Sequence, residues 1–394
     1  MRTPLRDCPP RSPGRETPER APDSRLDPSG GDIPADPDIV AAFRLRGEPN
    51  RGSGDRAGAG RLDGGLRRGC SVVICTYERA SSLMRCLDSL RKQTLRPDQV
   101  LIVDASQDAR TEAAVRGDER LGDIASGVSY FRVSGRFRGL TRQRNFALER
   151  AAYDLVAFFD DDTVLDPSCL AEMERIHRLL ADRVAGAGAM ISNASPKPDL
   201  AWRLRRGLRV VPDLRPGSYT RSGFSLPWSF LGSRGGLAEG DWLPGCAMMW
   251  RTDFAREVGF HEGFAGYAHG EDLDFSLRMR RRGRLVMVCG ARVEHLLESS
   301  GRPDDFKLGY MAIFNKYEIH RRGLPERGPR DVAWFIYAWT IDTLMLARHF
   351  FFPRRWVPTV KQVAGRGKAA LDLMRGRQET SANRGHERRS GVRV

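Results

Sequence analysis

Three consecutive carboxylates, Asp160-Asp161-Asp162, close an apolar run, Leu155-Val-Ala-Phe-Phe159. Packed this tightly, they repel one another unless a cation or solvent relieves them. Oxygen donors of this kind suit Mg²⁺ or Mn²⁺, which take one or two protein carboxylates and fill the remaining positions with phosphate and water. Side chains alternate along an extended chain, so Asp160 and Asp162 face one way and Asp161 the other. The bland alternative is a solvated acidic turn ahead of the next helix. A second acidic group, Gly270-Glu-Asp-Leu-Asp274, opens an amphipathic stretch that ends in Arg278-Met-Arg-Arg-Arg282. Acids there complement a helix dipole, or one of them acts as general base toward an attacking hydroxyl. Arg138, Arg142 and Arg144 lie in a loop entering a helix and have the chemistry to meet a diphosphate, although basic helix faces are more often just solvated. His295 is a candidate metal ligand and Asp104 a candidate partner for a nucleobase or ribose, although both residue types often serve structure alone.

The elements that must position these residues are legible around them. Ser71-Val-Val-Ile-Cys-Thr76 is a β-branched run suited to a buried parallel strand. Leu83, Met84, Leu87 and Leu90 then recur at helical spacing. Strands are expected at 100–103, 128–133, 155–159, 184–191 and 285–288, and helices over 140–152, from Asp166-Pro167 to Leu180, from Thr252 and from Glu271. This alternation predicts an α/β fold, a Rossmann-like, mostly parallel sheet sandwiched by helices. Ligands of such sheets bind beyond the carboxyl ends of the strands, which places Tyr77, Asp104 and Asp160–Asp162 at one crevice. Five aromatics within Pro-, Gly- and Arg-rich sequence make 192–238 an irregular insertion, read as lying over the acceptor side.

Outside 69–300 the composition changes. Residues 1–68 are rich in Pro, Gly, Arg and Asp, which predicts a disordered tail. Residues 301–377 read as a helical extension and 378–394 as a flexible tail. Lys and Arg number 65 against 50 acids, a formal charge of +15. No nucleic-acid module accompanies that charge, so a membrane surface and a phosphorylated ligand are the expected partners rather than nucleic acid. The seven cysteines lack metal or disulfide spacing, as expected of reduced thiols. No apolar leader opens the chain, which predicts a cytoplasmic protein.

The segments SVVICTYERASSLMRCLDSLRKQ, LIVDASQD, RGLTRQRNFAL, FFDDDTVLDPSCL, LPGCAMMWRTDFAREVGF and GEDLDFSLRMRRRG, in this order from about Cys70 to His295, resemble the family 2 glycosyltransferases, which have the GT-A fold. The one departure of note is Ala147, where a glycine is common. The resemblance implies an inverting transfer of a sugar from a nucleotide-diphosphate donor to a glycan or lipid-linked acceptor hydroxyl, with Mg²⁺ or Mn²⁺ as cofactor. It places Thr76, Tyr77, Glu78, Asp104, Arg144, Asn145, Asp160 and Asp161 around nucleotide and donor, and Leu243, Pro244 and Gly245 beneath the donor sugar and acceptor. Asp160, Asp162 and His295 fall to the metal. Asp272 becomes the catalytic base, with Glu271 beside it. A nucleotidyltransferase would instead open with a Gly-rich loop after the first strand, where this chain has Thr76-Tyr77-Glu78-Arg79. A non-catalytic nucleotide-sugar-binding protein would not need Asp160, Asp162, Glu271 and Asp272 intact.

Asp331–Pro353 has about the length needed to span a bilayer, but Asp342, Arg348 and His349 would be costly in hydrocarbon. A peripheral helix at the inner face of the cytoplasmic membrane fits the segment better, with a packed core helix as the alternative.

Overall fold

The computed structural model describes residues 26–27, 36–46, 65–180, 183–232, 235–264, 266–298 and 303–376. Most of the tail expected over 1–68, and all of 378–394, lie outside the described residues. An eleven-stranded sheet organises the chain. Its strands are β1 (Leu26–Asp27), β2 (Ile39–Arg46), β3 (Arg67–Thr76), β4 (Gln99–Asp104), β5 (Gly127–Val133), β6 (Tyr153–Asp160), β7 (Thr163–Leu165), β8 (Val184–Ile191), β9 (Leu237–Gly240), β10 (Ala247–Arg251) and β11 (Arg284–His295). The order is β1-β2-β5-β4-β3-β6-β10-β8-β11-β7, with β9 also on β11. Neighbours from β5 to β6 are parallel, as are β8 and β11, while β10 runs antiparallel between β6 and β8. The expected mostly parallel sheet is present.

Period-two alternation sends the strand side chains to two cores. Val72 and Ile74 face a cluster with Leu83 and Leu87 of helix α1 (Ala80–Arg91) and Met173 of α4 (Cys169–Leu180). Val73 and Phe158 face the other cluster, with Phe146 of α3 (Leu140–Arg150), Ala255 of α6 (Thr252–Val258) and Phe275 of α7 (Glu271–Met279). Helix α2 (Arg110–Arg116) follows β4 in the chain and packs on α1. The six cysteines among the described residues are free thiols.

Two expectations need correction. Ile39–Arg46, inside the segment read as a disordered tail, forms a strand between β1 and β5, paired antiparallel with β5. Its anchor is Phe43, which is buried and stacked on Tyr130 at 5.0 Å. The insertion 192–238 is not wholly irregular: it contains α5 (Leu200–Gly207), and Val210, Val211, Phe224 and Leu226 bury against Phe335 and Trp339 of α9 (Pro329–Leu344). Those contacts bury one face of α9, while Ile336, Tyr337 and Leu344 on its other face stay exposed. Asp342 is neutralised in place, accepting from Arg205 Nε at 2.9 Å and Arg366 Nη1 at 3.0 Å. Among the described residues no helix is long and apolar enough to cross a membrane. Two further long helices complete the C-terminal part, α8 (Asp305–Gly323) and α10 (Trp356–Met374), which pack along each other.

Candidate active site

Strand register assembles the site. Cys75 lies opposite Asp160 and Thr76 opposite Asp104, so the ends of β4, β3 and β6 are level. Beyond them opens a cavity of about 630 Å³, lined among others by Tyr77, Asp160, Asp162, Pro244, Gly245, Glu271, Asp272 and His295. Carboxylates distant in sequence therefore share one space, as a common site requires.

The group that could hold a cation is built by a strand pairing. After Asp162 the chain enters β7, whose Thr163 pairs with His295 at the end of β11. This brings His295 Nε2 to 3.1 Å from Asp162 Oδ1. Ligand atoms of Asp160, Asp162 and His295 all lie within 4.8 Å of one another. Burial pushes the Asp162 carboxyl up, but His295, the Glu298 amide and Arg79 outweigh it and hold it below its ordinary value. Two carboxylates and an imidazole form a donor set that suits Mn²⁺ or Mg²⁺ with open positions left over.

Asp161 points away from this group, as alternation demands. Its oxygens accept from Thr76 Oγ1 at 2.6 Å and Arg79 Nη1 at 3.1 Å. Burial raises its pKa to about 7 despite Arg79. Thr76 and Asp161 thus brace the strand ends with each other.

Glu271 and Asp272 open helix α7 and face the acidic cluster across the cavity. Asp272 Oδ2 accepts from the Gly245 amide at 2.9 Å and Oδ1 from the Leu273 amide at 2.8 Å, so the carboxylate is fixed in orientation. Gly245 has to be glycine: a Cβ there would sit 2.9 Å from Asp272 Cβ and 3.0 Å from Glu271 Oε1. Burial, then Asp272, pushes Glu271 up to about 8 against the pull of Arg144. Asp274, one turn on, is buried and paired with Arg278 and Arg322, away from the cavity.

Several residues singled out in the sequence stand elsewhere than expected. Arg144 does not line the cavity. Its side chain is 2% exposed, and its Nη atoms donate to Glu271 (2.8 Å), Asp160 (3.0 Å) and the Gly245 carbonyl (2.9 Å) from beneath the cavity floor. Asp104 is fully buried and accepts from Tyr130 Oη and the Ser106 amide, off the cavity wall. Asn145 clamps the backbone of Phe260 by two hydrogen bonds. Arg142 lies near Glu262 at 3.8 Å, whereas Arg138 lines the cavity and donates to Tyr77 Oη at 2.8 Å. Leu243 and Glu78 do not line the cavity; Leu243 is buried beneath it, and the Glu78 amide donates to Ser106.

Other lining residues escaped the sequence reading: Arg79, Trp242, His269 and, from α8, Lys316. Burial lowers the Lys316 pKa while Asp272 and Glu271 raise it. Burial, then Lys316, lowers His269 to about 4, so its ring is neutral. Arg79 follows directly on Thr76-Tyr77-Glu78 and was findable there. Lys316 had no local signal.

Residues 71–238 match the sequence model of glycosyl transferase family 2. The chain carries a family 2 glycosyltransferase domain. It is 26% identical over 303 residues to galactofuranosyltransferase GlfT1 of Mycolicibacterium smegmatis, covering 73% of this chain and 93% of that protein. Validoxylamine A glucosyltransferase of Streptomyces hygroscopicus subsp. limoneus is 25% identical over 234 residues, covering 54% of this chain and 48% of that one. Among solved structures, GalNAc-T7 with UDP, GalNAc and Mn2+ aligns with a TM-score of 0.51 at 16% identity, over 80% of this chain and 58% of that chain. The chain thus spans less than two thirds of the latter two. The family 2 glycosyltransferase domain has the GT-A fold, with the described cavity at the carboxyl edge of its sheet.

Proposed function

We propose that this glycosyltransferase works by inversion, moving a hexosyl or deoxyhexosyl unit from a nucleotide-diphosphate sugar to an acceptor hydroxyl. The product is a cell-surface polysaccharide or glycolipid, made at the inner face of the cytoplasmic membrane. One observation carries the reading: the Asp160–Asp162–His295 group faces Asp272 within a single cavity. The GlfT1 relative, itself a galactofuranosyltransferase aligned over 93% of its length, supports a hexosyl donor.

Asp160, Asp162 and His295 would hold Mg²⁺ or Mn²⁺, which when bound supplies positive charge to the departing diphosphate. The chain's own residues do the rest. Asp272, oriented by the Gly245 and Leu273 amides, takes the proton of the acceptor hydroxyl as its oxygen attacks the anomeric carbon. The bond from that carbon to the diphosphate oxygen breaks with its electron pair leaving on the diphosphate. The carbon has oxocarbenium character in between. A single displacement from the opposite face inverts configuration without a covalent sugar intermediate. Arg138 and Lys316 add cations to the cavity wall for the phosphates.

Asp272→Asn tests the base: it is expected to bind nucleoside diphosphate with Mn²⁺ as the wild type does, by calorimetry, and to transfer no sugar. Full transfer by this variant, or turnover undiminished in excess chelator, overturns the respective assignment.

A further inference from the structure

We propose that Phe350-Phe351-Phe352 and the outer face of α10 form a docking surface for an anionic lipid bilayer. The inference rests on the proposed glycolipid product for its purpose, and on the surface alone for its existence.

Helix α10 has two unlike sides. Thr359, Gly365, Arg366, Ala369 and Asp372 are buried on the protein side. On the other side Trp356, Val360, Val363, Leu371 and Met374 recur at helical spacing, each exposed, as one continuous apolar stripe. The turn before the helix extends it: Phe351 is 86% exposed and Phe352 60%. Trp356 Nε1 donates to the Phe350 carbonyl at 2.7 Å, which ties that turn to the stripe. Water-facing aromatics in such number mark an interaction site.

Charge identifies the occupant. Arg348, Arg354, Arg355, Lys361 and Arg375 are exposed along the same segment. Its acid, Asp372, is buried and paired with Lys368, and Asp342 just before it is paired with Arg205 and Arg366. Among described residues 343–376 no exposed carboxylate offsets the cations. A second copy laid on this face would set cation against cation. An apolar stripe flanked by unopposed Arg and Lys matches a bilayer whose headgroups are negative. Helix α10 packs on α8, which carries Lys316 to the cavity. Docking therefore holds the cavity at a set place relative to the bilayer.

The test is sedimentation of the full chain with phosphatidylcholine vesicles, with and without about one-third phosphatidylglycerol. Wild type is expected to pellet with the anionic vesicles, and less so at high salt. Phe351→Ser with Trp356→Ser should weaken partitioning about tenfold or more. Arg354→Gln with Arg355→Gln should erase the preference for phosphatidylglycerol. Both pairs should keep the wild-type melting temperature and turnover on a water-soluble acceptor. The proposal falls if wild type stays in the supernatant, or if the variants pellet equally well. It also falls if ultracentrifugation shows a dimer that the Ser pair abolishes while no vesicles are bound. Sugar transfer without vesicle binding sinks this inference alone; vesicle binding without transfer sinks the enzymatic reading alone.

Discussion

Arg144 reaches Glu271 from beneath the cavity, 2.8 Å from Nη1 to Oε1, while its other Nη holds Asp160 at 3.0 Å. One buried guanidinium thus fixes the spacing between the end of β6 and the start of α7. Burial by itself lowers its pKa, but Glu271 and Asp160 more than offset this and keep it charged.

Arg144→Met should therefore leave two carboxylates facing each other without a counter-charge. Breaking one side of a buried ion pair costs about 3–5 kcal/mol, so a marked fall in melting temperature is expected. Arg144→Lys keeps the charge but not the fork. It should fold, lose roughly tenfold or more in turnover, and bind Mn²⁺ more weakly because Asp160 is no longer held. Calorimetry of Mn²⁺ binding separates this from a donor contact, which would change nucleotide affinity and leave the metal alone.

Gly245→Ala probes the opposite wall. The added methyl meets Asp272 Cβ at 2.9 Å and Glu271 Oε1 at 3.0 Å, so the start of α7 must move. Displacements of about 1 Å at a reacting centre cost on the order of a hundredfold in rate. Turnover should fall by about that factor while the melting temperature changes by only a few degrees. Unimpaired turnover would mean that Asp272 need not sit where the Gly245 amide holds it.

The contrast between Asp160 and Arg144 shows what local sequence conveys. Asp160–Asp162 follow an apolar strand, so their position at its carboxyl end follows from the pattern alone. Arg144 lies in an equally legible helix, but that helix buries it against residues from 245 and 271, and no local pattern states which face of α3 meets them. The burial of Asp104 was hidden for the same reason: its partner Tyr130 comes from β5. Strand β2 hid inside Pro- and Arg-rich sequence because its stability depends on stacking Phe43 upon Tyr130. His295 was readable as a ligand type, but its neighbour Asp162 is set by the β7–β11 register. Residue chemistry was visible locally; the pairings that aim it are long-range.

Lys316 is the strongest case of a residue without a local signal. It lies in α8, beyond the segment that matches the family, and its side chain lines the cavity beside Asp272 and Glu271. Among the described residues it forms no ion pair within 4.0 Å, so an anionic ligand is the natural partner. A hydrogen bond to a charged group contributes about 1.5–3 kcal/mol. Lys316→Met, which keeps the stem, should raise the KM for the nucleotide sugar about tenfold or more with an unchanged melting temperature. Unchanged KM and unchanged nucleoside-diphosphate affinity would remove Lys316 from the binding site.

His320 offers a prediction about stability. Its ring is fully buried and stacked on Phe335 at 4.9 Å, and neither nitrogen has a hydrogen-bond partner among the described residues. Burial, then Arg327, lowers its pKa to about 4 from 6.5. The unfolded chain thus takes up a proton below about pH 6.5 that the folded protein refuses until about pH 4. Stability is lost across that window as pH falls, at up to about 1.4 kcal/mol per pH unit. Phenylalanine keeps the stacking and removes both the unsatisfied nitrogens and the titration, at the cost of slightly more volume. An unpaired buried polar group costs about 1–3 kcal/mol, so His320→Phe should melt a few degrees higher at pH 7.5. Its advantage over wild type should widen at pH 5, because His177 and His269, also lowered to about 4, titrate equally in both proteins. Paired melts at the two pH values decide it: an advantage that shrinks on acidification would show that the folded protein accommodates the imidazolium.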